Sequence, residues 1–445
     1  MDKAPAFFEC NDPVINKAYR LATACVQANT IVIKQGFLSE AAPCVMAGLD
    51  YDTPWTRDAA INVMNAAKYI DCEAAKNTLL CVLEKKEGKT VIGDQYWDNV
   101  IWGLGAYALY TVAPDEDFLK LTYSALKNTL EIRINEEFDG DLCLFRGAAV
   151  YGDGVSAYPQ KYTNEDFNSG ISCWADLHPD LKCKTGYGLP MFALSTNCLY
   201  VKAIETLNEI EKKLNKLPSF ENLANDLKKS INEKFFNGKT YDYLYRESSA
   251  AEGLGLAFLL LFDIAPKDRA DGIFENTFVT SFGIPCVYPS FERYKKYGYG
   301  RHSGTVWPHV QGFWARAALK YGKTDSFDRE FFSLASNAVR DMQFSEIYHP
   351  ETGEIYGGVQ ELGINGKKEY ALWKSCDYQT WSATAFLNMI YEGVAGFDPI
   401  SGEFNPYLPE KIDNFCLKNF CAGKKTYDVC VTRKNGKIVK EVKQK

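Results

Sequence analysis

Twelve segments of this chain repeat their apolar residues at the spacing of an α-helix, near residues 12–28, 56–70, 72–86, 97–112, 115–136, 190–214, 218–235, 250–263, 267–276, 306–321, 325–342 and 377–393. The connections between them are of two kinds. Some are tight, such as Asp71 alone or KLPS at 216–219. Others are long, aromatic and rich in glycine: FLSEAAPCVMAGLDYDTPWTRD, LFRGAAVYGDGVSAYPQKYTNEDFNSGISCWADLHPD, VYPSFERYKKYGYGRHSGTVWPH, and the stretch from FSEIYHPETGEIYGG to Trp381. Short and long connections roughly alternate, and loops of that length in a compact domain are usually functional.

Six helical hairpins with all long loops at one end close most simply into a double ring. The expected fold is therefore all-α, an (α/α)6 barrel, with its active face at the loop end. A helical solenoid is the alternative, but it requires a fixed-period repeat that the sequence does not contain. Asp71, Ser219 and Asp325 stand where each would cap the helix that follows. After GVAGFDP the pattern changes to period two in FCLKNF, KTYDVCVTRK and GKIVKEV, with Asn435-Gly436 as a hairpin turn. The expected division is a helical domain over 1–396 and a small β-rich appendage over 397–445.

Composition narrows the class. A chain of 445 residues with 46% hydrophobic and 24% charged residues is globular and long enough for one large core. It has no run of about eighteen apolar residues, and MDKAPAFFECNDPVINK lacks the apolar core of a secretory signal, so no membrane element is expected. The net charge of −7, with both signs mixed along the chain, argues against nucleic acid and for a neutral or polar small partner. The 14 cysteines are scattered, many inside apolar helical runs, and read as reduced thiols in a cytoplasmic protein. No CxxC or paired Cys/His spacing is present, so no metal or cofactor is expected.

Four motifs could carry chemistry. DYDTPWTRDAAINV gathers Trp55, Arg57 and Asp58 where a long loop enters a helix; either Thr56 caps that helix and Asp58 complements its dipole, or the group binds substrate. GDQYWDNVIWGLGAY places Trp97 and Asp98 at the next such entry, as cap and core or as binding residues. RHSGTVWPHVQGFW carries His302, Trp307 and His309, with Pro308 at the first helical turn. GAAVYGDGVSAYPQKY holds Asp153 between two glycines, an ordinary turn or a close approach to a ligand. The loop from Phe344 adds Glu346, Glu351, Glu354 and Glu361, of which Glu346 is expected to lie among Tyr348, Trp373 and Trp381. Hydrolysis of a glycoside needs two such carboxyls, one to protonate the leaving oxygen and one to activate water.

WTRD, the glycine-flanked Asp153, GTVWPHVQGFW, SEIYHPETGE and DYQTWSATAFLNMIYEGVAGF, in that order over residues 40–400, resemble the six-hairpin glycosidases of the trehalase, processing α-glucosidase and mannosylglycerate hydrolase group, glycoside hydrolase family 63-like. The most specific part is Glu346, Tyr348, Pro350, Thr352 and Gly353 before Trp381, Ser382 and Ala383. The resemblance implies that Glu346 is the general base and Asp153 the general acid, with Asp58 and Glu361 as alternatives for the acid. It also implies an inverting, exo-acting hydrolase of an α-linked gluco- or manno-configured glycoside. Trp55, Arg57, Asp58, Trp97, Asp98, Trp307, His309, Glu361 and Trp381 would then shape the sugar site. A sugar epimerase using His302 and His309, or a non-catalytic glycan-binding module, are the other readings.

Overall fold

The structure is a computed structural model that describes residues 5–445 apart from 95, 153, 164–169 and 365–366. Among the described residues, twelve helices have seven or more residues: α1 Pro13–Ala28, α2 Thr56–Asn62, α3 Cys72–Cys81, α4 Asp98–Val112, α5 Glu116–Glu137, α6 Leu194–Lys213, α7 Leu223–Lys234, α8 Gly253–Leu261, α9 Ala270–Asn276, α10 Pro308–Lys320, α11 Thr324–Asp341 and α12 Thr380–Asn388. α2 runs on through the π-helical turn Val63–Ala67 to Ile70, and α12 through a second one, Met389–Val394.

The even-numbered helices are buried on most sides. α8, GLGLAFLLL, is buried over eight of its nine residues, and such an all-round apolar helix must be enclosed by others. α2 packs against α4, α4 against α6, α6 against α8, α8 against α10, α10 against α12, and α12 returns to α2. The odd-numbered helices carry one apolar face and lie outside: α1 on α12, α3 on α4, α5 on α4 and α6, α7 on α6, and α11 on α10. Phe274 of α9 meets Trp314 of α10 with ring centroids 4.8 Å apart. Close contact between inner helices depends on small residues. A Cβ on Gly312 of α10 would lie 2.8 Å from that of Ala385 on α12, too near for a larger side chain without displacement.

Local chemistry explains three helix starts. Asp12, Asp71 and Asp115 each accept two backbone N–H bonds at the heads of α1, α3 and α5. Two expected caps behave otherwise. Ser219 hydrogen-bonds to Glu211, and α7 begins only at Leu223; Asp325 lies inside the first turn of α11, where it complements the helix dipole. The expected helix over 72–86 also ends early, at Cys81. Leu83–Lys86 instead pairs with Lys89–Ile92 around a turn at Glu87 and Gly88, both at positive φ. Glu87 and Gly88 supply the two positive-φ residues that a tight hairpin turn requires, and the hairpin prevails over helical propensity.

The C-terminal strands Asn414–Ala422, Lys425–Lys434 and Lys437–Gln444 form the expected antiparallel sheet, with Asn435 and Gly436 turning the last hairpin at positive φ. Its fourth strand comes from the other end of the chain: Phe7–Cys10 pairs with Asn414–Ala422, Phe8 opposite Leu417. Phe420 packs 5.0 Å from Tyr69, so the sheet closes onto the ring where α2 and α12 finish. The expectation of reduced thiols throughout fails at Cys416 and Cys430, which face each other across two strands and form a disulfide. The facing strands bring the two Cα atoms to 4.2 Å, a proximity that sequence spacing does not reveal.

Two consequences are measurable. Gly312→Val should lower the unfolding free energy by about 1–3 kcal/mol in denaturant melts through overpacking against α12. Glu252, fully buried at the head of α8, accepts from the Ser195 N–H, and burial pushes its carboxyl up to about 8. The folded chain then keeps a proton that the unfolded chain releases at about pH 4.3, so stability falls as pH rises between those values. Glu252→Gln should flatten that fall by up to about 1.4 kcal/mol per pH unit in melts between about pH 5 and 8.

Candidate active site

The long loops all precede even-numbered helices, and their residues meet where those helices begin. At the start of α2, Trp55 is 40% exposed, with the Arg57 guanidinium 6.0 Å from its ring. Arg57 Nη1 donates to Asp98 Oδ2 at 3.1 Å, and its Nε lies 3.7 Å from Asp58 Oδ2. Asp58 Oδ1 accepts from Gln379 Nε2, one residue before α12. These carboxylates do not act as helix caps. Trp55 and Trp97 occupy the cap positions without a side-chain bond, and Thr56 Oγ1 donates to the Gly93 carbonyl. Burial raises the Asp98 carboxyl to about 8, against the pull of Arg57 and with Asp94 and Asp58 adding to it.

Across the opening, α10 and α12 present a ring cluster. His309 packs on Trp381 at 4.3 Å between centroids, Trp307 lies 5.8 Å from Trp381, and His302 stacks on Trp307 at 4.6 Å. The backbone at Val306 pairs with Tyr348 in both directions, which fixes the Glu346 loop against the RHSGTVW segment. That segment also supplies Arg301, whose guanidinium sits 5.2 Å from the Trp307 ring.

Arg301 Nη2 donates to Glu346 Oε2 at 2.8 Å, and the Cys376 N–H donates to the same oxygen at 3.0 Å. Among the described residues no group donates to Glu346 Oε1. The second guanidinium nitrogen of Arg301 donates to the carbonyls of Gly357 and Lys374. Gly358 is at φ +74°, and a Cβ there would fall 2.2 Å from Arg301 Cα, so only glycine lets the loop lie this close. The enclosure of Glu346 thus differs from the aromatic one expected. Trp373 is 44% exposed at the rim and the Tyr348 hydroxyl accepts from Ser345 N, while Arg301 and Cys376 hold the carboxylate. Tyr51 stands between the two halves. Burial raises its hydroxyl, then the nearby carboxylates of Glu346 and Asp58 raise it further.

Asp153 lies outside the described residues, but its flanks are fixed. Tyr151 packs 5.0 Å from the ring of His302, and Ser156 Oγ lies 3.3 Å from His302 Nδ1. Arg293 donates to the carbonyls of Val155 and Tyr158 and, through Nε, to Glu361 Oε1 at 2.8 Å. Glu361 also accepts from the Tyr294 hydroxyl, so it anchors the loop that carries Asp153.

The structure therefore brings together Trp55, Arg57, Asp58, Asp98, Trp307, His309, Glu346 and Trp381, with Glu361 one step behind. Trp97 is 2% exposed at the first turn of α4 and serves the core. Sequence reasoning missed Arg301, Tyr51, Gln379 and Arg293. Arg301 adjoins His302 and Gln379 stands two residues before Trp381, but nothing local marks either as a partner of a distant carboxylate. No group of three His, Cys, Asp or Glu residues placed to hold a metal occurs among the described residues, and no described helix is long and apolar enough to cross a membrane.

Known proteins share this fold. The chain resembles a sialidase (TM-score 0.70, 14% identity), covering 98% of this chain and 40% of that one. It resembles the GH63 mannosylglycerate hydrolase from Thermus thermophilus in complex with glucose (TM-score 0.59, 14% identity, 84% of this chain and 99% of that one). A GH78 family rhamnosidase from Bacillus sp. GL1 aligns with 100% of this chain and 42% of its own, at TM-score 0.64 and 14% identity. The chain thus spans about two-fifths of the sialidase and the rhamnosidase. No curated protein matches it in sequence. Residues 54–382 match the family described as Mannosylglycerate hydrolase MGH1-like glycoside hydrolase domain. That match runs from the loop before α2 to the start of α12 and takes in Glu346, Arg301 and the ring cluster, and the chain belongs to this glycoside hydrolase family.

Proposed function

We propose that the protein is an inverting, exo-acting glycoside hydrolase acting on an α-linked gluco- or manno-configured saccharide, as an α-glucosidase would. The six even-numbered helices, each packed on the next, support reading the scaffold as the inner ring of an (α/α)6 barrel. In this reading residues 1–396 form the catalytic unit and 397–445 the appendage that braces it. Buried thiols such as Cys25 and Cys198 support a cytoplasmic setting, with the Cys416–Cys430 pair as the exception.

One observation carries the reading. Glu346 is fixed through Oε2 by Arg301 and the Cys376 amide, and among the described residues Oε1 receives no hydrogen bond. A carboxylate held this way can take a proton from water through its second oxygen while its direction stays set. Asp153 serves as the acid. Its loop is tied through Tyr151 and Ser156 to His302, the neighbour of the arginine that holds the base. Inversion requires the two carboxyls to stand roughly 6.5–9.5 Å apart, leaving room for the water. The exposed rings of Trp55 and Trp373 offer apolar faces for a pyranose, and Trp307, His309 and Trp381, at most 4% exposed, pack behind the site.

Glu346→Gln and Asp153→Asn should each lower kcat by about 10²–10⁴-fold, and Glu346→Gln, which leaves the buried Arg301 guanidinium without its counter-charge, should also lower the melting temperature. Proton NMR of the first product should show the anomer opposite to the substrate linkage; the same anomer would refute inversion. Arg301→Met should reduce kcat more than it changes KM, and Arg301→Lys should recover part of the loss, read from steady-state kinetics of both variants.

A further inference from the structure

Among the described residues, the three arginines and the lysine at the opening are each engaged by a carboxylate. Arg57 lies between Asp58 and Asp98, at 3.7 and 3.1 Å. Arg301 holds Glu346 at 2.8 Å, and Arg293 holds Glu361 at 2.8 Å while its other donors go to the Val155 and Tyr158 carbonyls. At the rim, Lys374 lies between Asp50 and Asp377, at 3.0 and 3.2 Å. The carboxylates outnumber these cations, and Asp94, which accepts from the Thr56 N–H, adds one more.

Neighbouring groups register that excess. After burial, Asp94 and Asp58 are what raise the Asp98 carboxyl despite its contact with Arg57. Between the two halves, after burial, Glu346 and Asp58 raise the Tyr51 hydroxyl, although Arg301 pulls the other way.

We infer that the site is built for an electrically neutral glycoside and discriminates against substrates that carry a carboxylate, whether on the sugar or on the leaving group. The inference rests on the hydrolase reading and narrows its substrate class. An entering carboxylate that took over one of these guanidinium groups would displace Asp58, Glu346 or Glu361, each at most 4% exposed, and would leave that group buried without its counter-charge. Until then it meets more carboxylate than cationic side chains among the described residues. A neutral sugar meets neither obstacle. Its hydroxyls can bond to the paired carboxylates as they stand, and its apolar face can stack on the rim rings Trp55 and Trp373, 40% and 44% exposed.

The test compares substrates that differ only in charge: α-mannosyl glycerol with α-mannosyl glycerate, and p-nitrophenyl α-glucoside with p-nitrophenyl α-glucuronide. In each pair that is turned over, kcat/KM should favour the neutral member by about tenfold or more. An anionic member cleaved as fast or faster overturns the inference. In the double variant Asp50→Asn/Asp377→Asn, which strips Lys374 of both carboxylates, the preference should shrink at least about threefold for the glycerate pair. An unchanged ratio would place the discrimination in shape and overturn it too. If no pair is turned over, the hydrolase reading fails, and the charge inference is decided by intrinsic tryptophan fluorescence titrated with glucose, mannose and glucuronate. Saturation by a neutral sugar but not by glucuronate sustains it; saturation by glucuronate, or by none, refutes it.

Discussion

The organisation of the site depends on a single buried ion pair, Arg301 with Glu346. The two residues are 3% and 4% exposed, and neither charge could be held there alone. Arg301 is therefore committed on several sides at once, to the carboxylate, to two loop carbonyls and to the face of Trp307. Those contacts join the segment before α10, the Glu346 turn and the strand that leads to Cys376. Three loops remote in sequence take up one arrangement because each provides part of what the guanidinium and the carboxylate require.

The scaffold was largely legible from periodicity, since burial of one stripe or of the whole surface leaves a direct mark on where apolar residues fall. The approach of Gly312 to Ala385 and the all-apolar α8 are what an inner helix needs, and both stand in the sequence. Less legible was anything decided across the chain. The strand Phe7–Cys10 is four residues long and finds its partner some four hundred residues away. Ser219 is drawn to Glu211 instead of capping α7. At the site, carboxylates and aromatics could be picked out because hydrolysis of a glycoside calls for them. Their counter-charges could not, because an arginine that neutralises a buried glutamate looks in sequence like any other arginine. Glu361 illustrates the limit: nothing beside it in sequence announces its pairing with Arg293.

The two ends of the helical ring are specialised differently. Where α2 and α12 finish, each passes through a π-helical turn, and Glu392 in the second turn gathers Lys68 at 2.9 Å and Arg316 at 3.2 Å, with the Tyr69 hydroxyl donating to it as well. Burial lowers the Lys68 ammonium, and the contact with Glu392 works against that shift. The sheet then covers this end through Phe420 and Tyr69. Strength is concentrated there, where one carboxylate lies between two cations, away from the loops that meet solvent.

The residues that head the six inner helices, Trp55, Trp97, Ala193, Glu252, Trp307 and Gln379, make no side-chain bond of the capping kind, whereas Asp12, Asp71 and Asp115 do so for three outer ones. At two of these heads a carboxyl from elsewhere in the chain takes the bond instead, Asp94 from the Thr56 N–H of α2 and Glu252 from the Ser195 N–H of α6. The first amides of an inner helix, which carry about half an elementary charge, thus act as a partial counter-ion supplied by backbone. It lets the chain crowd acidic side chains at that end without a matching number of lysines and arginines. Because backbone supplies it, the loops can exchange one carboxylate for another while the electrostatic support beneath them persists.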